Sequence, residues 1–200
     1  MQEKWLVAGV IAALAVLTRS QGVVLPLSLA WLYMERRGWR WREVRPAILW
    51  FAMAPLALLL HFYYLYLKSG RVLAVFEAMS AWGRLSTYTL ADPLRNLVNP
   101  WLDVFKIDLV FALLFLACSA YILWKWPYKA YGIFALLMCF LPLYTGLLVS
   151  VSRYMAIIFP VFILLGEKLK NQNAYDALRA AWFALQIVYF AGWVNYYWIA

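Results

Sequence analysis

Seven apolar segments separated by short polar stretches dominate the chain: 5–17, 22–34, 46–67, 108–126, 131–149, 154–166 and 180–199. A helix needs about 20 residues to cross about 30 Å of hydrocarbon. Four of the segments reach that length, and the first two and the sixth are shorter. The first two are joined only by TRSQ, which predicts a tight helical hairpin. The pattern predicts an all-α integral membrane protein, a polytopic helical bundle forming a single transmembrane domain over 1–200.

The composition excludes a soluble domain. The chain has 200 residues, of which 67% are hydrophobic and 14% charged, and a soluble domain of this length has too little interior for so much apolar surface. The net charge of +9 suggests contact with membrane lipids or a phosphate-bearing substrate. The basic residues lie between apolar segments rather than along one soluble face, so we expect no nucleic-acid partner. Cys118 and Cys139 fall inside predicted spans without metal-ligand spacing. No cofactor is evident, and a divalent metal requirement is left open.

Basic loops predict the orientation. Five arginines lie within 36–45, and further basic residues lie near 125–129 and 168–179. The positive-inside rule puts these loops in the cytoplasm, with the N-terminus inside and the C-terminus outside. The first segment is expected to be an uncleaved helix. TRSQ, the long loop 68–107 and SVSR then share the outer side. We expect a multi-pass protein of a prokaryotic plasma membrane rather than of the endoplasmic reticulum.

Two arginines interrupt apolar segments, Arg19 in LAVLTRSQGVVLPL and Arg153 in LLVSVSRYMAIIFPVF. An arginine at a helix centre in a bilayer costs about 2.5–3.5 kcal/mol on insertion scales. One interpretation is that both face a polar path or an anionic ligand. The alternative is that they snorkel to the interface without a ligand.

The outer loop has helical periodicity of its own in Val72, Val75, Phe76, Met79 and Trp82, which predicts a short interfacial helix. The carboxylates expected on the outer side are Glu77, Asp92, Asp103 and Asp108, so an acid or base from this chain acting there would come from them.

Single residues also admit a purely structural interpretation. Trp82 is of the kind that anchors an interface, and Arg84 could contact lipid headgroups. We expect Glu77 to be a solvated loop charge. His61, the lone histidine, is predicted to be a hydrogen-bonded core residue rather than a ligand. The WRWR run is expected to anchor the chain to anionic lipid.

Three stretches resemble the C-terminal half of the PIG-V-like mannosyltransferases, which belong to the GT-C class of membrane glycosyltransferases: LTRSQGVVLPLSLAWLY, AWGR and SRYMAIIFPVFILLG. The resemblance implies transfer of a sugar from a polyprenyl- or dolichyl-phosphate carrier to a lipid or glycan acceptor on the extracytoplasmic face. It also implies that Arg19 and Arg153 bind phosphate or glycan, with Tyr154 beside them. Trp82 and Arg84 would form part of the acceptor or carrier groove.

The chain departs from the family at the catalytic residue. The family has an aspartate in its first extracytoplasmic loop, near a W-D-x-x-W-Y-like pattern. Here no Trp-Asp pair occurs, and the nearest sequence is Trp101-Leu102-Asp103. The catalytic residue is therefore unknown. We expect either a truncated gene product or a second chain that supplies the N-terminal half. The competing hypothesis is a non-catalytic lipid-binding or transporter-like subunit.

Overall fold

The computed structural model describes residues 4–71, 74, 77, 106–144 and 151–195, without the side chains of residues 20, 106–109, 143 and 144. These ranges are helical and contain no strand. The α-helices are α1 (Trp5–Thr18), α2 (Val24–Arg36), α3 (Met53–Ser69), α4 (Lys106–Lys125), α5 (Lys129–Tyr144), α6 (Val151–Met155), α7 (Phe159–Lys168) and α8 (Gln172–Val194). Short 3₁₀ turns occupy Ser20–Val23, Trp41–Glu43 and Pro46–Ala52. The all-α prediction is confirmed for this part of the chain.

Two helical stretches are long and apolar enough to cross a membrane, Pro46–Ser69 and Gln172–Val194. Their most apolar windows have mean hydropathies of 1.8 and 1.3, and 11% and 0% of those windows is buried. An apolar surface left uncovered to this extent suits lipid contact. These helices correspond to two of the four segments predicted to be long enough to span. The other two contain the shorter apolar stretches Val110–Lys125 and Lys129–Pro142.

The apolar segment 154–166 is divided between two helices. Helix α6 ends at Met155, and α7 begins at Phe159 with Pro160 in its first turn. Proline lacks an N–H and disfavours helical geometry in the residue before it, so it is tolerated at a helix start and interrupts a helix elsewhere. Arg153 and Tyr154 therefore belong to a separate short helix.

The main core lies where α2, α4, α5, α6 and α7 meet, with Phe115, Ile122, Cys139, Met155 and Ile158 among its buried side chains. Helices α4 and α5 approach closely at Gly132, where a Cβ atom would lie 2.4 Å from Leu123 Cα. Glycine is required there because the obstacle is backbone. This core holds α6 in place beside the turn that carries Arg19.

A second cluster joins α1, α2 and the 3₁₀ turn before α3. Trp5, Tyr33 and Phe51 pack edge to face, with the Trp5 and Tyr33 ring centroids 5.2 Å apart. The Tyr33 hydroxyl accepts from Arg45 N–H at 2.8 Å and lies 3.2 Å from Arg45 C=O, to which it donates. The cluster fixes the chain through the arginine-rich turn between α2 and α3.

Candidate functional site

Arg19 lies at the sharp turn between α1 and α2. Its backbone is extended, with φ −155° and ψ 130°, and its N–H donates to Ala15 C=O at 3.0 Å. The following 3₁₀ turn packs back on α1 so tightly that a Cβ on Gly22 would lie 2.6 Å from the Ala15 carbonyl carbon. Only glycine fits this approach. The predicted tight connection between the first two segments is confirmed.

Arg153 lies on α6, a helix of five residues held by its flanking side chains. Val151 and Met155 are both fully buried in the main core, whereas Arg153 is exposed. The two anchors are four positions apart and share one helix face. Arg153, midway between them in the sequence, is therefore directed away from the core.

The two arginines meet at Tyr154. The guanidinium carbon of Arg19 lies 4.5 Å from the centre of the Tyr154 ring, and that of Arg153 lies 5.7 Å from it. The contact brings the two arginines together at one ring, and their predicted position on the outer side of the membrane stays a prediction. Tyr154, expected to lie beside them, is the ring that joins them through cation–π contacts.

Within the described ranges, no carboxylate lies within 4.0 Å of either guanidinium group. Because both groups lie against one ring, they are at most about 10 Å apart. Two unit charges at about 10 Å repel by about 1.7 kcal/mol at an effective dielectric constant of about 20. This local excess of positive charge is suited to binding an anion.

Arg153 also lines a cleft of about 360 Å³ between α8 and the helical core. Aromatic side chains form most of its wall, and its polar side chains are Ser152, Arg153, Gln186 and Tyr189. The aromatic members are Phe111, Phe115, Trp182, Tyr189, Phe190 and Trp193. Arg19 and Tyr154 are not among the described residues of the cleft wall. The cleft therefore combines one cation at its edge with an apolar interior, which is the arrangement that an amphiphile with an anionic head requires.

Gln21 is a residue of this region that the sequence did not single out. Its side chain is only 8% exposed, and among the described residues its Oε1 atom has no hydrogen-bond partner. A buried amide oxygen without a partner is costly. The sequence feature that could have pointed to Gln21 is its position, because it is a polar side chain two residues after Arg19 within an apolar hairpin.

Of the remaining predicted residues, those that the structure describes lie outside the site. Trp82 and Arg84, and with them the predicted interfacial helix, lie outside the described residues. Glu77 is exposed and pairs with Arg71 at 2.8 Å, consistent with a solvated charge. The prediction for His61 is wrong: it is exposed on α3, whose packing against α1 leaves that side of the helix uncovered.

The described residues contain no group of three or more His, Cys, Asp or Glu side chains that could hold a metal ion. Cys139 is buried with its Sγ 3.7 Å from Ser119 Oγ, and Cys118 is half-buried.

Comparison with known proteins gives no match to a protein-family model, to a curated protein or to a solved structure. The likeness to the PIG-V-like mannosyltransferases therefore rests on the motif residues and stays a prediction.

Proposed function

We propose that this chain forms the carrier-binding part of a GT-C-type, mannosyltransferase-like membrane glycosyltransferase. Its ligand would be a sugar linked to polyprenyl or dolichyl phosphate, with the phosphate bound between Arg19 and Arg153. The observation that carries the proposal is the convergence of these two arginines on Tyr154 beside an aromatic cleft.

Electrostatics supports an anionic head at this position. Two cations at most about 10 Å apart repel, whereas a phosphate between them attracts both, and each hydrogen bond to the charged phosphate contributes about 1.5–3 kcal/mol. Arginine also offers two parallel N–H donors that match phosphate oxygens. The apolar cleft next to Arg153 would then receive the first part of the lipid chain.

In sugar transfer, negative charge grows on the departing phosphate. Preplaced guanidinium groups stabilise that charge, and they do so most strongly where water is excluded. The acceptor hydroxyl also needs a base, but none of the residues that line the cleft is a carboxylate. We propose that a second chain, or the part of this chain outside the described residues, supplies the base.

The test is lipid binding by the purified full chain in nanodiscs, with radiolabelled polyprenyl-phosphate mannose as the probe. Arg153→Ala and Arg19→Ala should each weaken binding at least tenfold, because hydrogen bonds to charged groups contribute about 1.5–3 kcal/mol. Arg153→Lys should also bind poorly, since an ammonium group cannot make the bidentate contact. Arg42→Ala, an exposed arginine in the turn between α2 and α3, is the matched control. Wild-type affinity in both alanine variants would refute the proposal.

A second candidate is a non-catalytic subunit that binds phospholipid headgroups with the same arginines. The absence of a carboxylate from the described cleft wall favours it. The same assay separates the two when phosphatidylglycerol is added as a competitor and mannose transfer is followed. Efficient displacement by phosphatidylglycerol, together with no transfer in the presence of the native membrane fraction, would favour the subunit.

We also propose that the chain crosses a prokaryotic plasma membrane seven times, with Arg19 and Arg153 on the outer side. The basic turn 36–45 supports this orientation through the positive-inside rule. Single cysteines at positions 42 and 71, in a Cys118→Ala, Cys139→Ala background, should react from opposite sides with an impermeant maleimide. Labelling of both from the outside would contradict the proposed orientation.

A further inference from the structure

A second cavity of about 410 Å³ continues the cleft along α8. Trp182 and Gln186 line both cavities, so the two adjoin along α8, and together they are called the α8 groove. The α8 residues along it recur every three or four positions from Tyr175 to Trp193, as expected for one helix face. At 1.5 Å per residue this face is about 27 Å long, which is close to the hydrocarbon thickness of a bilayer.

Trp182 divides the groove in the middle. Its ring packs edge to face against Phe111 at 5.6 Å and against Phe162 at 6.1 Å. None of the residues of α8 is buried, and these two ring contacts join α8 to the core. The groove on either side of Trp182 is left for another molecule.

The second cavity is apolar over most of its wall, which includes Phe162, Leu165, Leu169, Leu178 and Phe183. Arg179 lines it as well, but its guanidinium group lies 3.3 Å from the Asp176 carboxylate. The positive charge at this end is therefore already paired, unlike that of Arg153. A headgroup is favoured at the Arg153 end and a hydrocarbon chain beyond Trp182.

We infer that the second cavity binds the distal part of the hydrocarbon tail of a long-chain lipid phosphate, whose head lies at Arg153. This inference rests on the proposed function and adds a specificity to it. A short tail ends in the first cavity, whereas a long tail passes Trp182 and buries further surface against Leu165 and Leu178. The protein therefore selects long-chain carriers through a cavity remote from the phosphate. The occupant follows from the charge at Arg153 and from the two shared lining residues, Trp182 and Gln186, which place the second cavity directly beside the first.

The experiment fills the second cavity and compares two probes, farnesyl phosphate and undecaprenyl phosphate. Gly166 lines the cavity, and a Cβ there meets no atom within 4 Å, so Gly166→Leu should fold and occupy the space. Leu178→Trp fills the same cavity from α8 and serves as the second variant. Ala180→Leu adds bulk to α8 at an exposed position that lines neither cavity, which makes it the matched control.

The wild type should bind undecaprenyl phosphate more tightly than farnesyl phosphate. Gly166→Leu and Leu178→Trp should lose that preference by at least tenfold while farnesyl phosphate binding and the control stay unchanged. An undiminished preference in both filled variants would overturn the inference. If the proposed function is right, Arg153→Ala should weaken the binding of farnesyl phosphate and of undecaprenyl phosphate equally. If the proposed function is wrong, Arg153→Ala changes the affinity for neither lipid, so this failure is distinguishable from a failure of the inference about the second cavity.

Discussion

Replacement of Glu35 by alanine should loosen the contact between α2 and α5. Glu35, one residue before the end of α2, accepts the N–H of Lys129 at 2.7 Å through Oε1 and that of Ala130 at 3.1 Å through Oε2. These are the first two residues of α5, whose N–H groups have no partner within the helix. The Glu35 carboxylate therefore caps the N-terminus of α5, although Glu35 and Lys129 are 94 positions apart in the sequence.

The magnitude follows from the two bonds and from the exposure of the site. Hydrogen bonds to charged groups contribute about 1.5–3 kcal/mol each, and loss of a helix N-cap costs about 0.5–2 kcal/mol. Glu35 is half-buried, so water replaces part of what is lost. We expect Glu35→Ala to reduce the free energy of unfolding by about 2 kcal/mol. Glu35→Gln keeps one acceptor oxygen without the charge and should cost about half as much.

The assay is equilibrium unfolding in mixed micelles, with hydrogen exchange of the segment 126–135 as a local measure. The exchange of the Lys129 and Ala130 amides should accelerate by more than tenfold in Glu35→Ala, because about 1.4 kcal/mol corresponds to one factor of ten. Glu43→Ala is the control, since its pair with Arg40 is exposed on both sides and such pairs contribute about 0.2–1 kcal/mol. Identical unfolding curves for Glu35→Ala and the wild type, with unchanged amide exchange, would refute this reasoning.

Two further predictions concern the arginine site. Gly22→Ala should destabilise the protein by about 1–3 kcal/mol, as overpacking commonly does, because the new Cβ would meet backbone atoms of α1 at 2.6 Å. Thermal unfolding measures this loss, with Gly166→Ala as the control because a Cβ at Gly166 meets no atom within 4 Å. Equal melting temperatures for the two variants would contradict the prediction. Tyr154→Leu should weaken binding of a lipid phosphate about five- to thirty-fold, because the ring contacts both arginines and each cation–π contact contributes about 0.5–1 kcal/mol at exposed sites. Tyr154→Phe keeps the ring and should bind like the wild type; a loss in Tyr154→Phe as large as in Tyr154→Leu would contradict a role for the ring.

The helices were predictable where hydrophobic periodicity or length determines them. The predicted segment 46–67 matches the observed Pro46–Ser69 closely. The segment 180–199 begins too late, because α8 starts at Gln172 with a polar first turn capped by the Asn171 side chain. Apolar content alone does not reveal a cap of this kind, although asparagine before a helix is a recognised start signal.

The site was predictable in its residue types but not in its geometry. The cost of an arginine in an apolar segment drew attention to Arg19 and Arg153, and the motif resemblance added Tyr154. Their meeting at one ring depends on the packing of α6 against the main core, which joins residues more than 100 positions apart. The two carboxylate contacts of Glu35 depend on the same kind of distant pairing. No local pattern encodes such contacts, and for this reason Glu35 and Gln21 were missed.

The way Arg153 is held explains why the proposed phosphate site and the base for the acceptor hydroxyl would lie on different elements. Arg153 is exposed on a five-residue helix anchored on both sides by fully buried residues, so its position is fixed although its side chain is accessible. A carboxylate placed within about 4 Å would pair with it, which contributes about 0.2–1 kcal/mol for an exposed pair, and it would compete with a phosphate for the same donors. An anion site built from arginines therefore binds best when the base lies on another element. Under the proposed function, this competition favours a base that approaches the cleft from a separate loop or chain. The described cleft wall, which has no carboxylate, then leaves Arg153 available to the phosphate of the carrier.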